Sequence, residues 1–139
     1  MADPFEVRMK FTHQLQHLNA SVNSAQKAAV YALRHQDMDE DLHSCILEQL
    51  EKVVQHQPHF SHSSCARILI SSLQNNMNNR ANIMFFIEQL CDMARRENHL
   101  EFVRMVQRDI LRIIDAVAPS DGTGAANVKV VRKVNKPNQ

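Results

Sequence analysis

Glycine is nearly absent from this chain of 139 residues: the two present, Gly122 and Gly124, lie near the C-terminus, so residues 1–121 contain none. Tight turns between strands usually draw on glycine for a backbone of positive φ, so its absence argues against a sheet-rich fold and for an all-α one. It also removes the glycine-rich loops that cradle nucleotide phosphates. No run of about 18 apolar residues exists, the length a membrane-spanning helix needs. The three cysteines, Cys45, Cys65 and Cys91, are an odd number, and the charged opening MADPFEVRMK has no apolar signal region. Both features are expected of a chain kept in a reducing compartment.

The formal charge of +1 conceals an asymmetry. Residues 127–139 hold Lys129, Arg132, Lys133 and Lys136 and no acid, which leaves 12 basic against 15 acidic residues before them, a balance of −3. A dedicated nucleic-acid domain needs a clear basic excess for its phosphate contacts, so no nucleic-acid partner is expected. A chain of this length suits one domain and can bury roughly 68% of its unfolded surface without disulfide or metal staples.

Apolar periodicity and capping signals divide the chain into helices. Asp3-Pro4-Phe5-Glu6 supplies an N-cap acid, proline at the first helical position and a capping-box glutamate, and Val7, Phe11, Leu15, Leu18 and Val22 give helix one its stripe. A second helix is expected from near Ser24 through AQKAAVYALRH. A third follows Asp37, Asp39, Glu40 and Asp41, with Met38, Leu42, Cys45, Ile46, Leu50 and Val53 inward. A fourth carries Ala66, Leu69, Ile70 and Leu73 and ends in an asparagine-rich loop, NNMNN. A fifth runs over about residues 80–96, and a sixth from Asn98, with Glu101 as its capping partner, to the stop at Ala118-Pro119. The division expected is a helical body over 1–118, a linker over 119–126, and a basic segment over 127–139 that forms a final short helix on Val128, Val131 and Val134.

The fifth helix, IMFFIEQLCDMA, is the most apolar stretch. A wheel of about 100° per residue sets Ile83, Phe86, Ile87, Leu90 and Ala94 on one face and Phe85, Glu88, Gln89 and Asp92 on the other, leaving an outward phenylalanine among carboxylates.

The other clusters favour bland readings. His56, His59, His62 and Cys65 are spaced by three, but Pro58 interrupts them and no CxxC accompanies them, so no metal is expected. His13 and His17 stand at i and i+4 without the intervening glutamate of a metalloprotease motif and read as surface histidines. Cys91 reads as a packing residue, and no cofactor or catalytic arrangement announces itself. Arg104, Arg108 and Arg112 form a stripe suited to phosphate or a partner; Glu101 and Asp115 on the same face favour an ordinary ion-paired surface.

Five stretches, MADPFEVRMKFTHQLQHLNAS, NSAQKAAVYALRH, DMDEDLHSCILEQLE, NNRANIMFFIEQLCDMARRE and GAANVKVVRKV, together resemble the N-terminal domain of the gamma subunits of RNA polymerase II C-terminal-domain (CTD) kinase complexes. That domain is related to the CTD-interacting domains (CIDs), right-handed superhelices of about seven to eight helices. The resemblance implies a nuclear, non-catalytic subunit whose partners are a cyclin-dependent kinase and its cyclin, with no nucleic acid and no membrane. Domains of this kind that read the polymerase tail carry, on a groove helix, tyrosine, leucine, isoleucine, aspartate, serine, isoleucine, any residue, lysine, asparagine. Here Phe85 stands at the tyrosine, Glu88 at the aspartate, Gln89 at the serine, Asp92 at the lysine and Met93 at the asparagine. A carboxylate where a cation belongs repels a phosphorylated heptad, so weak or no binding of CTD peptides is implied. Asn23, Ser24 and Lys27 still resemble the family pattern near helix two, so a groove altered into a protein-contact face is expected. Two alternatives stand beside it: a phospho-CTD reader using the arginine stripe, and an adaptor of the related VHS/ENTH type. The latter lacks a basic amphipathic leading helix, since helix one starts with Asp3 and Glu6.

Overall fold

The computed structural model describes residues 3–52, 63–119 and 127, and over residues 63–76 the backbone alone. Among these residues there are six α-helices and a short 3-10 turn and no strand: α1 (Pro4–Gln16), α2 (Val22–Arg34), the turn Gln36–Met38, α3 (Asp39–Glu51), α4 (Ser63–Arg96), α5 (Glu101–Arg108) and α6 (Ile110–Val117). None of the helices described is long and apolar enough to cross a membrane. The expected final helix over 127–139 lies outside the described residues except for Asn127, which is buried and donates from Nδ2 to the carbonyl oxygens of Val117 at 2.7 Å and Met77 at 3.1 Å.

The first two helix starts have a local cause. Asp3 caps α1 by accepting from the Phe5 amide at 3.1 Å, with Pro4 in the first turn, where a missing N–H costs nothing. The second helix begins two residues before the expected Ser24, because Ser21 is its cap and accepts from the Ser24 amide at 3.3 Å. Val22, assigned to the stripe of helix one, therefore lies in α2 and is exposed.

The asparagine-rich loop does not form: α4 is continuous through NNMNN, so the expected fourth and fifth helices are one helix of 34 residues, about 51 Å long. Asparagine lowers helix propensity by no more than about 0.7 kcal/mol per residue, and NNMNN contains neither glycine nor proline. Extending an existing helix avoids a second nucleation, and packing of the following turns against α2 offsets the weak propensity.

The sixth helix also differs. It begins at Glu101, not Asn98. Asn98 has a φ of 60°, the left-handed conformation that ends a helix. The Asn98 amide donates to Arg95 O at 3.1 Å and the His99 amide to Ala94 O at 2.8 Å, the paired bonds of a Schellman terminus on α4. Asn98→Gly is expected to leave thermal stability unchanged or slightly raised, whereas Asn98→Val costs about 1–2 kcal/mol, as thermal melts will read. The helix then breaks at Asp109 into α5 and α6.

One core joins all the helices. Phe11 of α1 meets Phe86 of α4 edge to face at 5.8 Å between centroids and stacks beside Tyr31 of α2 at 6.4 Å. Ala25, Ala28, Ala29 and Ala32 let α2 lie close along α4, the most extensive helix pairing of the fold. Arg80 closes the far side, donating from Nη1 to Ala116 O and from Nη2 to Lys52 O, both at 2.9 Å, so one guanidinium binds terminal carbonyls of α3 and α6.

Candidate functional site

The apolar side of the IMFFIEQLCDMA turns is as expected: Ile83, Phe86, Ile87, Leu90 and Ala94 are completely buried. The outer side is not. Phe85, expected to point outward, is half-buried and packs against the core, as does Met93. α4 is covered along more than one face, by α2 and also by α5, α6 and α3, so its shielded arc is wider than a surface helix would have.

The polar positions divide. Asp92 forms an ion pair with Arg96 one turn on, so a cation still stands beside the position where the reversed charge lies. Glu88 is half-buried, and its Oε2 is shielded from solvent with no hydrogen-bond partner. A shielded carboxylate oxygen without a donor is costly. Gln89 is half-buried beside it.

The residues expected on helix two lie on the helix packed along α4. Asn23 and Lys27 are exposed at its start. Ser24 is committed locally, its Oγ within 3.0 Å of Ser21 O and 3.1 Å of Asn19 Oδ1, so it serves the helix cap. Asn82 Nδ2 donates to Leu18 O at 3.4 Å, linking the turn of α4 before Phe85 to the connection entering α2.

The arginine stripe is ion-paired throughout. Arg104 Nη1 donates to Glu101 Oε1 at 2.6 Å. Arg108 reaches Asp109 Oδ2 at 3.2 Å and Glu40 Oε1 at 3.5 Å. Arg112 grips Glu51 with two bonds, 2.7 and 2.5 Å, joining α6 to the end of α3. These hydrogen bonds raise the Arg108 and Arg112 pKa values and lower that of Glu51, so a phosphate would have to displace carboxylates already in place.

Sequence reasoning missed the pair His43 and Asp109. His43 is buried within α3, and its Nε2 lies 2.8 Å from Asp109 Oδ2 at the junction of α5 and α6, while its Nδ1 is buried without a partner. That bond, ahead of the Arg108 contact, holds the Asp109 carboxyl below the usual range. The signal was available: Asp109 falls three residues after Val106 and four before Ile113, an inward position where an acid needs a partner.

Nucleophilic chemistry has little support here. Cys91 is buried, and desolvation pushes its thiol up to about 11, away from the thiolate form. Among the described residues no group of three or more histidine, cysteine, aspartate or glutamate side chains is arranged to hold a metal ion. His56, His59 and His62 lie outside the described residues, as does the side chain of Cys65.

With this geometry in place, the relatives are informative. Residues 2–57 and 62–139 match the family described as CTD kinase subunit gamma CTK3. The CTD kinase subunit gamma of Schizosaccharomyces pombe (strain 972 / ATCC 24843) is 38% identical over 133 residues, which cover 95% of this chain and 51% of that protein. The chain thus spans about half the length of the curated relative it matches. A solved structure, of a non-canonical CID of Ctk3, superposes with a TM-score of 0.75 at 38% identity, covering 96% of this chain and 80% of that one. The all-α architecture is therefore that of a CID, and the chain belongs to the family of CTD kinase gamma subunits.

Proposed function

We propose that this domain is a non-catalytic assembly module of a nuclear cyclin-dependent kinase complex that phosphorylates the C-terminal repeats of RNA polymerase II. Its role is to contact the kinase, the cyclin or both and hold the active complex together. Membership of the gamma-subunit family supports the setting. The single observation that carries the contact surface is the outer side of α4, where Asp92 stands at the position that the resemblance gives to a lysine and Glu88 and Gln89 lie half-buried beside it. With Asp92 in the lysine's place and Arg96 committed to it, this surface gives a phosphorylated heptad a poor anchor and favours an unphosphorylated protein partner.

The phospho-CTD reader is the competing reading, and the ion pairs of Arg104, Arg108 and Arg112 weigh against it. Fluorescence anisotropy with plain and phosphorylated heptad peptides separates the two. The assembly reading expects no micromolar binding of either peptide. Micromolar, salt-sensitive binding that disappears in Arg108→Glu would establish the reader instead.

A further inference from the structure

The last turn of α1 carries a feature that peptide or kinase contacts leave unexplained. His13 and His17, one turn apart and both exposed, stack with their ring centroids 4.1 Å apart and their planes 23° from parallel. The Nδ1 of His17 lies 2.8 Å from the carbonyl oxygen of His13. A carbonyl has no proton to give, so Nδ1–H is the donor, and in the neutral ring the free lone pair stands on Nε2. Metal-ligating histidines are typically oriented in this way, one ring nitrogen tied to a backbone carbonyl and the other left for the ion.

From this geometry we propose that His13 and His17 form a two-imidazole clamp for a transition-metal dication of the Zn²⁺, Ni²⁺ or Cu²⁺ type. At metal–nitrogen bonds of about 2.0–2.1 Å, two nitrogens on one tetrahedral ion stand roughly 3.3 Å apart, a spacing that requires the exposed His13 ring to turn out of the stack. His17 is the C-cap of α1, so the ion sits at the negative end of the helix dipole. Imidazole selects these ions over Mg²⁺ and Ca²⁺, which prefer oxygen. Water fills the remaining positions, and because both rings must be neutral, affinity falls as the solution is acidified.

The test is a titration of the whole chain with Cu²⁺ and Ni²⁺, reading histidine ring signals by NMR and Ni²⁺ affinity by calorimetry. Substoichiometric Cu²⁺ is expected to broaden the His13 and His17 signals together, ahead of those of His56, His59 and His62. Outer-shell changes alone weaken metal sites by roughly 10–100-fold, so His13→Gln, which removes a direct ligand, is expected to cost at least about tenfold in Ni²⁺ affinity with the helical circular dichroism unchanged. Earlier broadening of the other histidines, or equal Ni²⁺ affinity in His13→Gln, would overturn the proposal.

Discussion

Phe86→Ala is expected to lower stability by about 3–5 kcal/mol, the usual cost of truncating a buried phenylalanine. Phe86 is completely buried, and its ring sits edge to face on Phe11, a contact worth roughly 0.5–1.5 kcal/mol beyond burial. A domain of this kind has about 5–15 kcal/mol in total, so the variant is marginal. Its melting temperature should fall by about 10–20 °C, as calorimetry will measure. The neighbour provides the control. Phe85 is only half-buried, so Phe85→Ala is expected to cost clearly less, although the two residues are adjacent and chemically identical.

Asp109→Ala is expected to cost about 1–3 kcal/mol, because it leaves a buried imidazole N–H without an acceptor. The side chain of His43 is only 2% exposed, so water cannot replace the lost oxygen. Asp109→Asn, which keeps an acceptor, should cost less, and a double-mutant cycle with His43→Leu should show coupling of about 0.5–3 kcal/mol. The pH dependence has a definite sign. The Asp109 carboxyl is held below its ordinary value of 3.8, so its contribution is fully present above that value and is lost as pH falls through the lower folded-state pKa. Urea melts of native protein and Asp109→Asn should therefore differ at pH 7 and converge in acid.

Much of the fold was legible because its signals are local. The Asp3-Pro4 start, the alanines of α2 and the apolar face of IMFFIEQLCDMA depend on caps and spacing that a sequence displays. The errors lie where tertiary context decides. NNMNN reads as a loop by propensity, yet its neighbours' packing carries the helix through it. Asn98 resembles an N-cap by its spacing to Glu101 but serves as the left-handed terminus of the helix before. The wheel set Phe85 outside because it assumes one buried face, whereas α4 is covered on several.

The candidate site was legible in part. Family resemblance located Phe85, Glu88, Gln89 and Asp92 on one helix, and the Asp92–Arg96 pair follows from their spacing of four, but the orphan oxygen of Glu88 depends on how other helices cover α4. The partners of Arg112 and His43 are 61 and 66 residues distant, beyond any periodicity argument.

The proposed protein contact within the kinase complex lies on the outer side of α4. Kinase and cyclin reconstituted with the full-length subunit carrying Asp92→Lys, which reverses the charge at that position, or Gln89→Arg provide the test. Both variants are expected to stay folded and to co-purify at least about tenfold more weakly, a loss of roughly 1.4 kcal/mol or more. Unchanged assembly and kinase activity with both variants would contradict it.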